Sequence, residues 1–170
     1  MIYRMSFGEI DSKDHYWADP VHNPSFSFGK VLAGISKIPS DVALKYRSMK
    51  GDTLQDFMCG SDEVPLISKK MANALVNANF TGFDLLDVTI ESKGLSNNEY
   101  AVFITNNTAK FVDDQDYGKV DPSTMHCDFA TPTGTGVIVC TEETKTFIEE
   151  HCSEESGMAF KEFEKRKLRF

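Results

Sequence analysis

The sequence predicts an α+β fold: a mostly antiparallel sheet with two related helices, built from a duplicated strand–helix–strand module in one domain spanning residues 1–170. Three observations lead there. Val64 to Ile90 reads as a short apolar strand, then Ser68, an amphipathic helix, Gly82 and a second apolar run; Val137 to Phe163 repeats that order with Thr141 and Gly157. Val64, Leu66 and Leu75 fall opposite Val137, Val139 and Ile148 without a gap, and two extra residues in the second copy bring Gly82 opposite Gly157. In each copy the apolar phase then slips at the same point. Phe83 and Leu85 give way to Val88, and Met158 and Phe160 to Phe163, a slip that a bulge in each strand would explain.

The elements follow in order. Ile2 to Phe7 alternates apolar and polar residues, the pattern of an opening strand. Ser12 to Gly29 carries Pro20, Pro24 and several aspartates and reads as a long ordered loop, its aromatics Tyr16, Trp17, Phe26 and Phe28 arguing against disorder. Val42 to Tyr46 suits a strand, and Leu54 to Met58 a short helical turn before the break at Gly60-Ser61-Asp62. Ser68 is the N-cap of a helix from Lys69 to about Asn79, with Met71, Ala72, Leu75 and Val76 as its apolar stripe. Thr81-Gly82 ends that helix, since glycine tolerates left-handed geometry. Phe83 to Ile90 is a strand, Gly94 to Asn98 a turn, and Tyr100 to Thr105 a strand rich in β-formers. After Asn106-Asn107, Ala109 to Val112 reads as a short returning strand.

Asp113 to Gly136 is a polar connector with one strand near Phe129. In the second module Glu142 and Glu143 occupy the first helical turn, where they complement the helix dipole, and Phe147, Ile148 and Cys152 form the buried stripe. Connections inside each module are too short to establish parallel crossovers, and strand order stays open.

Composition bounds the function. A chain of 170 residues with 41% apolar content and 13 phenylalanines can bury an aromatic-rich core. No segment reaches the roughly 18 consecutive apolar residues of a membrane span, and Glu9 and Asp11 interrupt any secretory h-region. The cysteines Cys59, Cys127, Cys140 and Cys152 lie far apart, which suits free thiols in the cytoplasm. The net charge of −8 is uneven: residues 86–170 hold 9 basic and 16 acidic side chains, against 9 and 10 in residues 1–85. That field disfavours nucleic acid and favours a basic protein partner.

The clusters that invite a chemical reading fail on geometry. His126, Cys127 and Asp128 are neighbours on an extended segment, so their side chains alternate in direction and make no nucleophile–base dyad. Asp11, Asp14, His15, Asp19 and His22 have ligand chemistry for a divalent metal but no helical pairing, because Pro20 interrupts them. Asp113, Asp114 and Asp116 open like a calcium loop, yet its twelfth position is Thr124 instead of glutamate. Gly134-Thr135-Gly136 enters a strand and lacks the lysine of a phosphate loop. The expectation is no catalytic residue, no metal and no cofactor.

The runs VPLISKKMANALVNANFTGFDLLDV, YAVFITNNTAKFVDDQDYGKV and GVIVCTEETKTFIEEH, within Asp52 to Phe163, resemble the immunity proteins of bacterial polymorphic toxin systems, in a family with repeated P-L-I-S strand–helix modules. The resemblance implies a cytoplasmic inhibitor that binds a cognate toxin C-terminal domain stoichiometrically, and it brings no catalytic residue with it. If that toxin is basic, Asp113, Asp114, Asp116, Glu142, Glu143, Glu149 and Glu150 are the expected contacts, by charge clustering. Two rival readings stand beside it: a metal-dependent hydrolase using the Asp11–His22 loop, and a small-ligand sensor module. A homodimer is equally compatible with the sequence.

Overall fold

The computed structural model describes residues 1–7, 17–20, 26–40, 43–50, 55–60, 64–92, 95–112, 119–152 and 157–163, with main chain alone at 17–20, 48–50, 92 and 95–96. Its first elements are β1 (Ile2–Phe7), β2 (Trp17–Pro20), α1 (Phe28–Leu32), β3 (Leu44–Lys50), β4 (Phe57–Cys59) and β5 (Pro65–Ser68). Next come α2 (Lys69–Asn77), β6 (Phe83–Ser92), β7 (Leu95–Asn97), β8 (Tyr100–Thr105) and β9 (Thr108–Ala109). A 3-10 turn at Pro122–Thr124 leads to β10 (Phe129–Pro132), β11 (Ile138–Thr141), α3 (Glu142–His151) and β12 (Met158–Glu162).

The fold is α+β, with two sheets. One has the order β12-β1-β11-β10-β9; the other is β2-β3-β6-β8-β5-β4, with β7 beside β6. Among the described pairings β3–β6 and β9–β10 run parallel and the others antiparallel, so both sheets are mixed. The two segments singled out in the sequence have the same element order and the same local pairing about one intervening strand, although β12 ends its described sheet and β6 is flanked by β3. β5 and β6 both pair antiparallel with β8, which lies between them, and β11 and β12 flank β1 in the same way. The strands of each segment are therefore parallel to one another, joined through a helix across one intervening strand. The strand–helix–strand pattern does not contain this topology, because β1 and β8 fill the gaps from outside it.

The likeness extends upstream. β4 forms an antiparallel pair with β5, and β10 with β11; Phe57 lies opposite Ile67 as Phe129 lies opposite Cys140. Ser68 N–H donates to Asp56 O at 2.8 Å, and Thr141 N–H to Asp128 O at 3.1 Å. Two glycines then lock the halves together reciprocally. Gly82, at φ +96°, leaves room only for the Phe129 carbonyl, and a Cβ there would also stand 2.7 Å from Cys127 Cβ. Gly157, at φ +72°, leaves the same room for the Phe57 carbonyl. Each half thus places its glycine on the first β-residue of the other half's hairpin.

One core lies between the sheets and holds Met5, Phe57, Ile67, Met71, Leu75, Phe103, Phe129, Ile138, Cys140 and Ile148, drawing on both helices. At its centre the Phe103 ring is 5.0 Å from those of Phe83 and Phe129, the first pair stacked and the second edge-on. Further cores cover the opposite faces of the two sheets, one around Tyr46, Leu66, Val88 and Ile90, the other around Ala109, Val120, Ala130 and Val139. These explain the phase slips. β6 keeps a continuous register, with Phe83 and Leu85 against the shared core and Leu86, Val88 and Ile90 against the core behind it. β12 does likewise, Met158 and Phe160 facing inward and Phe163 outward. The expected bulges are absent from these registers; the apolar pattern changes face because each sheet is buried on both sides.

Other expectations need correction. Of the expected Leu54–Met58 helical turn, the described residues from Gln55 onward are not helical: Phe57 enters β4, drawn into extended pairing with β5. Within the supposed N-terminal loop, Trp17–Pro20 forms strand β2 beside β3, and α1 starts at Phe28. Leu95–Asn97 pairs with β6 as β7 instead of forming a simple turn. Val76 points away from the core at 51% exposure, because Met71, Ala72 and Leu75 fill the narrow contact stripe of α2. The left-handed exit from α2 is made by Asn79, at φ +63°, three residues before Gly82.

Candidate functional site

The exposed face of α3 gathers the acidic residues into one place. Thr141 caps the helix, its Oγ1 accepting from Thr144 N–H at 3.2 Å, and Thr144 and Ile148 are the fully buried contacts beneath it. At about 100° per residue, Glu142, Glu143, Thr146, Glu149 and Glu150 then share an arc of roughly 120° pointing outward, and all five are exposed. Glu142 and Glu143 meet the positive end of the helix dipole. Glu149 and Glu150 meet the negative end, where an anion costs about 0.3–1 kcal/mol.

Lys145 offsets part of that cost. Its Nζ donates to Glu149 at 2.7 Å, and the same ammonium lies 5.2 Å from the Tyr3 ring centroid and 5.9 Å from that of Phe160. The bond to Glu149 holds the Lys145 pKa above the ordinary lysine value. Tyr3 is also raised, first by burial and then by Glu142. Glu143 and Glu150 take no cation among the described residues. At the end of the helix His151 stacks on Phe147, the ring centroids 3.9 Å apart.

The remaining acidic trio, Asp113, Asp114 and Asp116, lies outside the described residues. The flanking chain is described: Phe111 bridges Val120, and Val112 N–H donates to Lys119 O at 2.9 Å. Phe111 and Val120 pack with Ile2 and Val139, whereas α3 packs on the side of Met5, Ile138 and Cys140. The described chain on either side of the trio packs on the face of the sheet opposite α3.

The other clusters have structural roles or lie elsewhere. Asp128 accepts from Thr81 N–H at 2.7 Å and Thr81 Oγ1 at 2.9 Å, tying the end of one half to the start of the other's hairpin. Cys127 packs at Gly82, and His126 is exposed. Asp11, Asp14, His15 and His22 lie outside the described residues, and Asp19 sits in β2 with its side chain undescribed. Among the described residues no group of three His, Cys, Asp or Glu side chains converges as a metal site. Gly134, at φ +77°, simply makes the turn between β10 and β11.

Sequence reasoning missed the Asp-Phe pair that opens each half, Asp56-Phe57 and Asp128-Phe129. Asp56 Oδ1 accepts from Ser68 Oγ at 2.7 Å, so both aspartates fasten module termini. The recurring dipeptide was the available signal. No family model matches the chain, and no curated protein matches it either. No helix among the described residues is long and apolar enough to cross a membrane. What the arrangement offers chemically is an acidic, exposed helical face on a sheet-backed scaffold.

Proposed function

We propose that this chain is an immunity protein that binds and neutralises a cognate bacterial toxin domain by stoichiometric protein–protein inhibition in the cytoplasm. The observation that carries the reading is the placement of Glu149 and Glu150 in the last turn of α3. A helix optimised only for its own stability would place cations there. Four carboxylates on one outward arc instead make a surface complementary to a basic partner, and such surfaces accelerate encounter and fix orientation. The two similar halves are read as copies of one module. Their reciprocal glycine contacts support a pre-organised body, as an inhibitor acting by occupancy requires.

The contact set on this reading is Glu142, Glu143, Glu149 and Glu150, within an interface of about 800 Å² per partner. Asp113, Asp114 and Asp116 belong to the same proposed set by charge. The test is co-purification with the C-terminal domain of a toxin encoded beside this chain, followed by stopped-flow association. Reversing Glu143, Glu149 and Glu150 to lysine should slow association about tenfold or more at low salt and flatten its salt dependence. An unchanged rate removes α3 as the docking face; failure to form any complex removes the function.

A further inference from the structure

The chain leaving α2 meets α3 along an aromatic seam. The Phe80 ring centroid lies 4.9 Å from that of Phe147, and Phe147 stacks on His151 at 3.9 Å with 18° between the ring planes. Phe80 and Phe147 pack against the shared core yet stay partly exposed, and His151 is exposed. Rings left half open beside one another supply the rigid apolar area on which protein interfaces are centred.

The helix repeat sets two carboxylates beside that seam. Glu143 and Glu150 stand one turn to either side of Phe147 on the same flank of α3, and both are exposed. Glu142 and Glu149 belong to the other flank, where they meet the Met1 ammonium at 3.5 Å and Lys145 at 2.7 Å. His151 adds a further acceptor. Its Nδ1 lies 2.8 Å from the Phe147 carbonyl oxygen, which can only accept. Nδ1 therefore carries the proton, and Nε2 of the neutral ring is an acceptor. The seam thus joins ring surface to carboxylate and imidazole acceptors.

We propose that the seam of Phe80, Phe147 and His151 docks a protein partner through an arginine, its guanidinium against the rings and its N–H groups on Glu143 and Glu150. The inference rests on the reading of the chain as a toxin-binding protein, and it names the residue type the toxin brings to α3. Guanidinium suits both parts of the seam: it is planar, stacks on aromatic faces, and carries donors without an acceptor. Lysine is a more strongly hydrated point charge and gains less from the rings. An aliphatic or aromatic anchor would strip water from both carboxylates without supplying a cation, and such uncompensated charge is costly. The same carboxylates repel an acidic partner.

The experiment titrates the full chain at low salt with the capped peptide Gly-Arg-Gly-Arg-Gly and with its lysine counterpart, read by amide shifts of Glu143, Phe147, Glu150 and His151. The arginine peptide should move these signals and bind about threefold or more tightly than the lysine peptide. Phe147→Leu keeps the apolar bulk and removes the ring; Glu150→Gln removes one exposed charge. Each should weaken the arginine peptide about two- to fivefold. Circular dichroism checks folding, and Glu150→Gln alone decides if Phe147→Leu unfolds the chain. Absence of binding, equal binding of the two peptides, shifts centred away from α3, or indifference to the substitutions overturns the proposal. The same variants are then tested against the toxin domain. A complex that forms and ignores both substitutions overturns the seam and leaves the toxin reading intact. No complex, with the arginine peptide still preferred, overturns the toxin reading and supports the seam.

Discussion

Replacing Gly157 with alanine tests whether the two halves are locked through close contact of their main chains. The residue stands at φ +72°, and an alanine held in that left-handed region costs about 1–2 kcal/mol. Its new Cβ would also overlap the Phe57 carbonyl oxygen and stand 2.7 Å from Gln55 Oε1. Gln55 is only 2% exposed and Phe57 is fully buried in β4, so neither can swing aside. Overpacking of this kind adds about 1–3 kcal/mol, for a total of about 2–5 kcal/mol. Gly134 is the internal control. It stands at φ +77° with open space on the side where a methyl group would go, nothing lying within 4 Å, so Gly134→Ala should cost only the conformational part, about 1–2 kcal/mol. For a chain of this length the melting temperature falls about 2–4 °C per kcal/mol, which predicts a drop of about 4–20 °C for Gly157→Ala against about 2–8 °C for Gly134→Ala. Urea titration of both variants beside the wild type separates them. Equal losses would refute the interlock and leave Gly157 as an ordinary turn glycine.

Three further outcomes follow from the packing. Leu75→Ala should destabilise by about 2–5 kcal/mol in urea titration, whereas Val76→Lys one position along α2 should stay within about 0.5 kcal/mol, because the first side chain is buried and the second points outward. Asp128→Ala removes the acceptor of both Thr81 donors and should cost about 1–3 kcal/mol by the same measurement; a loss under about 0.5 kcal/mol would make that tie incidental. Burial pushes the Cys140 thiol well above the ordinary cysteine range, so mass spectrometry after brief alkylation at pH 8 should find Cys140 unmodified until the protein is unfolded, while the half-buried Cys59, Cys127 and Cys152 label first.

Where local chemistry and tertiary structure agree, the sequence is readable. Ser68 and Thr141 cap helices because each is a hydroxyl residue between an apolar strand and an amphipathic run, and both caps form. Tyr100 to Thr105 is a strand of the expected extent, since its β-formers are buried on both faces. Misreadings arise where a distant partner decides. Phe57 looks helical until Ile67 is opposite it, and Leu95–Asn97 looks like a turn until β6 continues far enough to pair with it. The phase slips are real features of the sequence, but a change of buried face and a bulge leave the same trace in a single strand. The acids of α3 are legible as a cluster. The packing of the described chain on either side of Asp113, Asp114 and Asp116 is not, since only the contacts of Phe111 and Val120 reveal which face it takes.

The strand that completes each half enters by a different route, and the difference should appear in the folding kinetics. β8 follows β6 after the short strand β7 and pairs nearby in sequence, Val102 lying opposite Leu86 and Leu66. β1 fills the corresponding place in the other half, where Met5 meets Ile138 and Phe160 from the far end of the chain. Closing that larger loop costs more entropy before any contact compensates, so the β5–α2–β6–β8 half should form first and β1 dock later. Leu66→Ala and Met5→Ala each remove a buried side chain and should destabilise by about 2–5 kcal/mol, enough for a reliable kinetic partition. Leu66→Ala should slow folding, with a φ-value of about 0.5 or higher, whereas Met5→Ala should mainly speed unfolding, with a φ-value of about 0.3 or lower. Stopped-flow chevrons of the two variants decide between the orders. A φ-value at Met5 equal to or above that at Leu66 would mean that the ends of the chain meet before the first half is built, and the two halves would then have to be treated as one nucleus despite their similar topology.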